Sequence, residues 1–104
     1  MATIRRITLF RIPGVEDQQK LIEIYKAMSE NALKDGKPYI KSVDVGTAQE
    51  DQRAQGFTIA AISTFSSLED MHFYDSGCTA HQKLRDFAKT VNQGSCMVYF
   101  NSIL

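Results

Sequence analysis

The strands of this chain are apolar on both faces, and the helices available to cover them are too few. Over residues 3–12, Ile4, Thr8, Phe10 and Ile12 fall on one side with Arg6, and Ile7 and Leu9 fall on the other with Arg5 and Arg11, because side chains along a strand alternate with period two. Residues 56–65 repeat the theme, with Phe57, Ile59, Ala61 and Phe65 opposed to Ala60 and Ile62. Residues 96–100 set Cys96, Val98 and Phe100 against Met97 and Tyr99. Helices can cover one face of such a sheet. A second copy of the chain is the most economical cover for the other, so the chain is expected to be a homodimer.

Between the strands the pattern changes period. Pro13-Gly14 stops the first strand, and Glu16 and Asp17 suit the positive end of a helix. That helix is expected to run to about Lys34, with Leu21, Ile24, Tyr25, Met28 and Ala32 in one stripe and Asp35-Gly36 closing it before Pro38. A short strand follows over residues 39–45, in which Ile40 is out of phase with Val43 and Val45. Residues 46–55 are polar and read as an exposed connection. After the strand at 56–65, Ser66-Ser67-Leu68-Glu69 has the spacing of a capping box and predicts a helix over 68–75. Ser76-Gly77 breaks it, and a second helix over 79–91 presents Ala80, Leu84, Phe87, Ala88 and Val91 on one face, with His81 beside that face.

The order strand, helix, strand, strand, helical stretch, strand is the βαββαβ of a ferredoxin-like protomer. It predicts a four-stranded antiparallel sheet with its helices on one face. The other face, including Ile7, Leu9, Ala60, Ile62 and Cys96 or Met97, is then left for a partner. Packing two such faces together gives a dimeric α+β barrel. Burying about 1,000 Å² of apolar surface is worth on the order of 25 kcal/mol before the costs of association.

The 104 residues, 43% of them hydrophobic, suffice for one core, so residues 1–104 are expected to form a single domain. Twelve basic residues balance twelve acidic ones with no block of like charge, which argues against nucleic acid and anionic membranes as partners. The early alternation of Met1-Ala2-Thr3-Ile4-Arg5-Arg6 does not resemble a signal peptide, and no run is long enough to cross a membrane. A cytoplasmic protein is expected. Cys78 and Cys96 lack metal-ligand spacing and read as reduced thiols. There is no phosphate loop, nucleophile elbow or paired-carboxylate site, and no motif for haem, flavin or metal, so no cofactor is expected.

Several segments together resemble the stress-responsive A/B barrel family of the dimeric α+β barrel superfamily. They are the strand Ile4-Arg5-Arg6-Ile7-Thr8-Leu9-Phe10, the ending Thr64-Phe65, the helix start Ser67-Leu68-Glu69-Asp70, the aromatic-to-histidine run Tyr74-Asp75-Ser76-Gly77-Cys78-Thr79-Ala80-His81, and the final Val98-Tyr99-Phe100. The runs Lys34-Asp35-Gly36-Lys37-Pro38-Tyr39 and Asp51-Gln52-Arg53-Ala54-Gln55-Gly56 resemble a fungal branch. The family includes stable dimers associated with stress and a plant polyketide cyclase, olivetolic acid cyclase, that uses a histidine and a tyrosine. The resemblance implies His81 as the base and Tyr74 as the donor, with one extra residue between them here. Arg6 stands where the cyclase has a first-strand histidine, and Tyr99 where it has a last-strand aspartate. The last strand therefore lacks the partner that would fix the histidine's tautomer and raise its pKa.

Aldol cyclisation needs a base for a proton alpha to a carbonyl and a donor for the enolate oxygen. A neutral imidazole can do the first, and a phenol or guanidinium the second. His81 with Tyr74, Tyr99 or Arg6 forms such a set if they share one cavity. Arg6, Thr8, Phe10, Tyr25, Ala61 and Tyr99 are the expected ligand-binding residues, Arg6 being able to hold an anionic head group. The bland alternatives are a helix histidine that bonds a loop backbone, a core Tyr25, and Met28, Phe10 and Phe87 as packing. His72 is expected on the surface. The sequence thus points to a homodimer that binds a hydrophobic, oxygenated small molecule between sheet and helices. The alternatives are a cyclase or lyase using His81 and Tyr74, and a structural dimer without a ligand.

Overall fold

The computed structural model describes residues 3–104; Met1 and Ala2, where the expected N-terminal alternation begins, lie outside the described residues. The chain forms a ferredoxin-like α+β fold. Its elements, in order, are β1 (Ile4–Phe10), α1 (Val15–Lys26), α2 (Met28–Asn31), β2 (Leu33–Lys34), β3 (Lys37–Pro38), β4 (Ile40–Thr47), a 3-10 turn (Gln52–Ala54), β5 (Ile59–Phe65), α3 (Leu68–Ser76), α4 (Thr79–Val91) and β6 (Ser95–Asn101). The four long strands form one antiparallel sheet in the order β4-β5-β1-β6.

Register fixes the faces. Arg6 lies opposite Ser63 on β5 and Tyr99 on β6, and Ile7 lies opposite Ile62 and Val98. Directly paired residues share a face. Ile4, Arg6, Thr8 and Phe10 therefore point to the helices with Ile59, Ala61, Ser63 and Phe65, while Ile7, Leu9, Ile62, Cys96, Val98 and Phe100 point away. Met97 shares the helix side with Thr8, so Cys96 is the β6 residue that joins Leu9 on the open face. The anomalous phase of Ile40 is a β-bulge: the register shifts between Ile40 and Ser42, so Ile40, Val43 and Val45 all reach the helix side.

The core lies between that side and the helices. Leu21, Tyr25 and Met28 are buried from α1 and α2, Met71 and Tyr74 from α3, and His81, Leu84 and Ala88 from α4. The helical cover stops short of β6, every residue of which is exposed.

Two boundaries differ from the sequence reading. The first helix does not continue to Lys34. It breaks at Ala27, and Leu33–Lys34 turns back on Lys37–Pro38 as a two-stranded hairpin. Asp35 and Gly36 both have positive φ, 53° and 77°, the geometry of the tight hairpin turn that Asp-Gly favours. The cap of α3 is Ser67 rather than Ser66: its side chain accepts from the Asp70 backbone N–H, and the exposed Glu69 meets Lys34 instead. No described helix is long and apolar enough to cross a membrane.

Candidate functional site

The break between α3 and α4 assembles the polar cluster. Gly77 is required there, because a Cβ at that position would stand 2.8 Å from the Phe73 ring. The turn brings the first turn of α4 back against the end of α3, where the His81 and Tyr74 rings stack with centroids 3.6 Å apart and planes 11° from parallel. His81 Nδ1 lies 2.8 Å from the Tyr74 carbonyl oxygen. A carbonyl only accepts, so Nδ1 carries the proton of the neutral ring and Nε2 keeps a free lone pair. The tautomer that the last strand cannot fix is thus fixed by backbone.

Asp75 joins this arrangement from the same helix end. Its Oδ1 is 3.7 Å from His81 Nδ1, and its Oδ2 accepts from Arg6 Nη1 at 2.8 Å. The Arg6 guanidinium, delivered from β1, also sits 5.1 Å from the Tyr74 ring centre, within cation–π range. Burial pushes the His81 pKa down to about 4; the nearby Arg6 and Arg85 charges add to the fall, against the Tyr74 carbonyl and Asp75. His81 is accordingly neutral at pH 7. The Tyr25 phenol is driven well above its ordinary value by burial, with the Arg6 charge and the nearby Thr8 hydroxyl acting the other way, so it stays protonated and able to donate.

Arg6, Tyr25 and His81 border a cavity of about 230 Å³ between β1, β6, α1 and α4. At ~30 Å³ per water it has room for about eight waters, or a small organic molecule. Of the residues expected at a site, His81, Arg6, Thr8, Phe10 and Tyr25 are on its wall. Tyr74, Ala61 and Tyr99 are not. Tyr74 lies behind the imidazole, 2% exposed, with a hydroxyl that has no hydrogen-bond partner among the described residues; the Ser63 side chain is close but outside bonding geometry. Ala61 is sealed beneath the core, and Tyr99 is 46% exposed on the uncovered edge strand. His72 is exposed.

Residues that sequence reasoning passed over complete the wall. Leu84 and Ala88 supply apolar surface, and Arg85 and Lys89 supply charge. For Arg85 and Lys89 the signal was the four-residue spacing from His81, which places 81, 85 and 89 in one row of a helix. A wider groove of about 710 Å³ runs between α1, α2 and α4, with Ile24, Ala27, Met28 and Ala80 among its walls, but no buried titratable side chain lines it.

Comparison with known proteins agrees with this architecture. Over 97 residues, the chain is 32% identical to a fusaristatin A biosynthesis cluster protein of Gibberella zeae, an alignment covering 93% of this chain and 70% of that protein. A hydroxynitrile lyase from Passiflora edulis superposes with a TM-score of 0.80 at 20% identity, over 96% of this chain and 93% of the lyase. A dimeric ferredoxin-like protein from Bacteroides fragilis superposes with a TM-score of 0.76 at 19% identity, over 96% of both chains. At these identities the two structures bear on fold alone. The family is decided by the match of residues 4–102 to its sequence model, nearly the whole length over which the sheet and its helices run: the chain belongs to the stress responsive A/B barrel domain family.

Proposed function

We propose that this chain acts as a homodimer whose protomers each bind a small, oxygenated organic molecule between sheet and helices, and that His81 serves there as a proton acceptor in a cyclase- or lyase-type reaction. The observation that carries the reading is a buried, neutral histidine on a cavity wall, its Nδ1 committed to the Tyr74 carbonyl and its Nε2 uncommitted. General bases work in this state, with one nitrogen oriented and the other open.

The step is a proton abstraction. His81 Nε2 takes a proton alpha to a carbonyl, and the C–H electron pair becomes the enolate. Arg6 and Tyr25, both on the cavity wall, donate hydrogen bonds to the enolate oxygen. In an aldol closure the enolate carbon then attacks a second carbonyl, and the new alkoxide recovers the proton from the imidazolium. Tyr74 contributes the ring that holds the imidazole rather than a proton.

The homodimer is supported by the open sheet face, where Val98 and Phe100 are 54% and 44% exposed beside Ile7, Leu9 and Ile62, and by the dimeric state of the similar Bacteroides fragilis protein. The relationship to a biosynthesis cluster protein favours an enzyme over a structural dimer. A cytoplasmic location fits the reading.

The test is exchange of the α-protons of ethyl acetoacetate in D₂O, followed by proton NMR. The wild-type protein is expected to accelerate exchange, and His81→Gln to lose roughly 100-fold of that acceleration while remaining folded. Stabilisation by the probe without exchange, or exchange unchanged in the variant, would overturn the catalytic role.

A further inference from the structure

The cavity wall is electrostatically one-sided. Acids and bases balance over the whole chain, yet the wall holds Arg6, His81, Arg85 and Lys89 and no aspartate or glutamate. His81, Arg85 and Lys89 form one row along α4, and Arg6 faces them from β1. His81 is neutral, and of the three cations Arg6 is matched by Asp75 at 2.8 Å. Arg85 donates only to neutral oxygens, the Asp75 carbonyl at 3.3 Å and Gln82 Oε1 at 2.8 Å, which aim its guanidinium without neutralising it. Among the described residues, no carboxylate forms an ion pair with Arg85 or Lys89.

The fold has no evident use for this arrangement. Like charges four residues apart oppose helix formation. The helix dipole accounts for Lys89 in the last turn of α4, but not for Arg85, six residues before the end of α4 at Val91. The same wall carries the apolar side chains of Phe10 on β1 and of Leu84 and Ala88 on α4.

We propose that the ligand of this cavity is a small organic carboxylate, its apolar body against Phe10, Leu84 and Ala88 and its carboxylate held between Arg85 and Lys89. The assignment rests on the cavity being a ligand site, as argued above. It matches a half-buried guanidinium and an exposed ammonium, one turn apart on α4, to a planar anion. It also bears on the chemistry. Burial is the main cause of the lowered His81 pKa and persists with a ligand bound, but the nearby Arg85 charge adds to the fall, and a carboxylate seated on Arg85 offsets that part and raises the imidazole's basicity.

The experiment uses benzoate and its neutral isostere benzamide as probes, with calorimetry on the full chain. Benzoate is expected to bind about tenfold more tightly than benzamide, with the preference weakened by salt. Lys89→Gln and Arg85→Gln should each reduce the preference and together abolish it, while Lys20→Gln on α1 leaves it intact. Benzoate, and not benzamide, should raise the His81 pKa read from its ring-proton shift. Equal binding of the two probes, failure of both to bind, a preference that survives the double variant, or inorganic phosphate binding as well as benzoate would each overturn the proposal. The outcomes separate from those of the exchange assay. Exchange without a carboxylate preference removes only this assignment, and a preference without exchange removes only the catalytic role of His81.

Discussion

Each face of the sheet departs from the usual pattern at a few positions. The face beneath the helices is apolar at Ile4, Phe10, Ile59, Ala61 and Phe65 but buries Arg6 and Ser63, 8% and 4% exposed, whereas the uncovered face carries Ile7, Leu9, Ile62, Val98 and Phe100 beside the exposed Arg5 and Asp44. Burying an arginine is costly unless it is paired, and exposing a run of apolar side chains forfeits their burial. Each departure therefore marks a use. Arg6 under the helices lies on the cavity wall, and the apolar groups on the bare face form the surface proposed to meet a second sheet.

The largest expected effect breaks the bare face. Ile62→Asp and Ile7→Asp each place a carboxylate in the centre of the proposed sheet-to-sheet contact, where an unpaired charge costs roughly 3–5 kcal/mol. Light scattering should give the wild type the mass of a dimer and each variant that of a monomer or an unfolded chain. A dimer of unchanged size and melting temperature would show that association uses another surface.

The covered face is next, through pH. His81 titrates near 4 in the folded chain and near 6.5 when unfolded, so between those values the unfolded state binds more protons. Stability from this group is full above about pH 6.5 and is lost as pH falls toward 4, by on the order of 3 kcal/mol per protomer. Urea denaturation across that window, at fixed protein concentration, should show a steeper loss in the wild type than in His81→Gln. Parallel curves would mean that the imidazole is not held neutral by its surroundings.

A smaller effect separates the partners of the ion pair. Asp75→Ala strands a buried guanidinium, whereas Arg6→Met leaves a carboxylate that is already 34% exposed. Asp75→Ala is expected to cost about 2 kcal/mol and Arg6→Met less, the partial exposure of Asp75 screening the pair. The opposite order in thermal melts would mean that Arg6 finds a second partner.

How much of this was legible depended on the kind of signal. Alternation named the sheet faces correctly because its period is a property of the strand itself. It could not say how far along a face the helices reach, and so Tyr99, in register with Arg6, was expected in the cavity but stands on the bare edge strand. Ala61 erred the other way, sharing the right face but lying under the core. Ile40 broke phase because a bulge adds one residue, which reads locally as an error. Asp35-Gly36 ends a helix or turns a hairpin equally well; its choice was made by Lys37 and Pro38, which supply the returning strand. His81 was visible as a helical neighbour of Leu84 and Ala88. Its tautomer partner was not, because a carbonyl oxygen has no sequence signature.

The smallest expected effect concerns Tyr74, and it bears most directly on the covered face as a site. Its hydroxyl is buried without a partner, so Tyr74→Phe removes an unsatisfied polar atom while keeping the ring stacked on His81 and near Arg6. Such a change should leave stability within about 1 kcal/mol of wild type or raise it, since an unpaired buried group is itself a cost. Exchange activity should persist, because the ring and the carbonyl at 2.8 Å from Nδ1, not the hydroxyl, position the imidazole. Tyr74→Leu, which loses the aromatic stack, should impair both. If Tyr74→Phe instead abolishes exchange while the protein melts as before, the hydroxyl must reach the reacting atoms through a rearrangement of α3 and α4. The donor of the enolate hydrogen bond would then be Tyr74 rather than Arg6 or Tyr25.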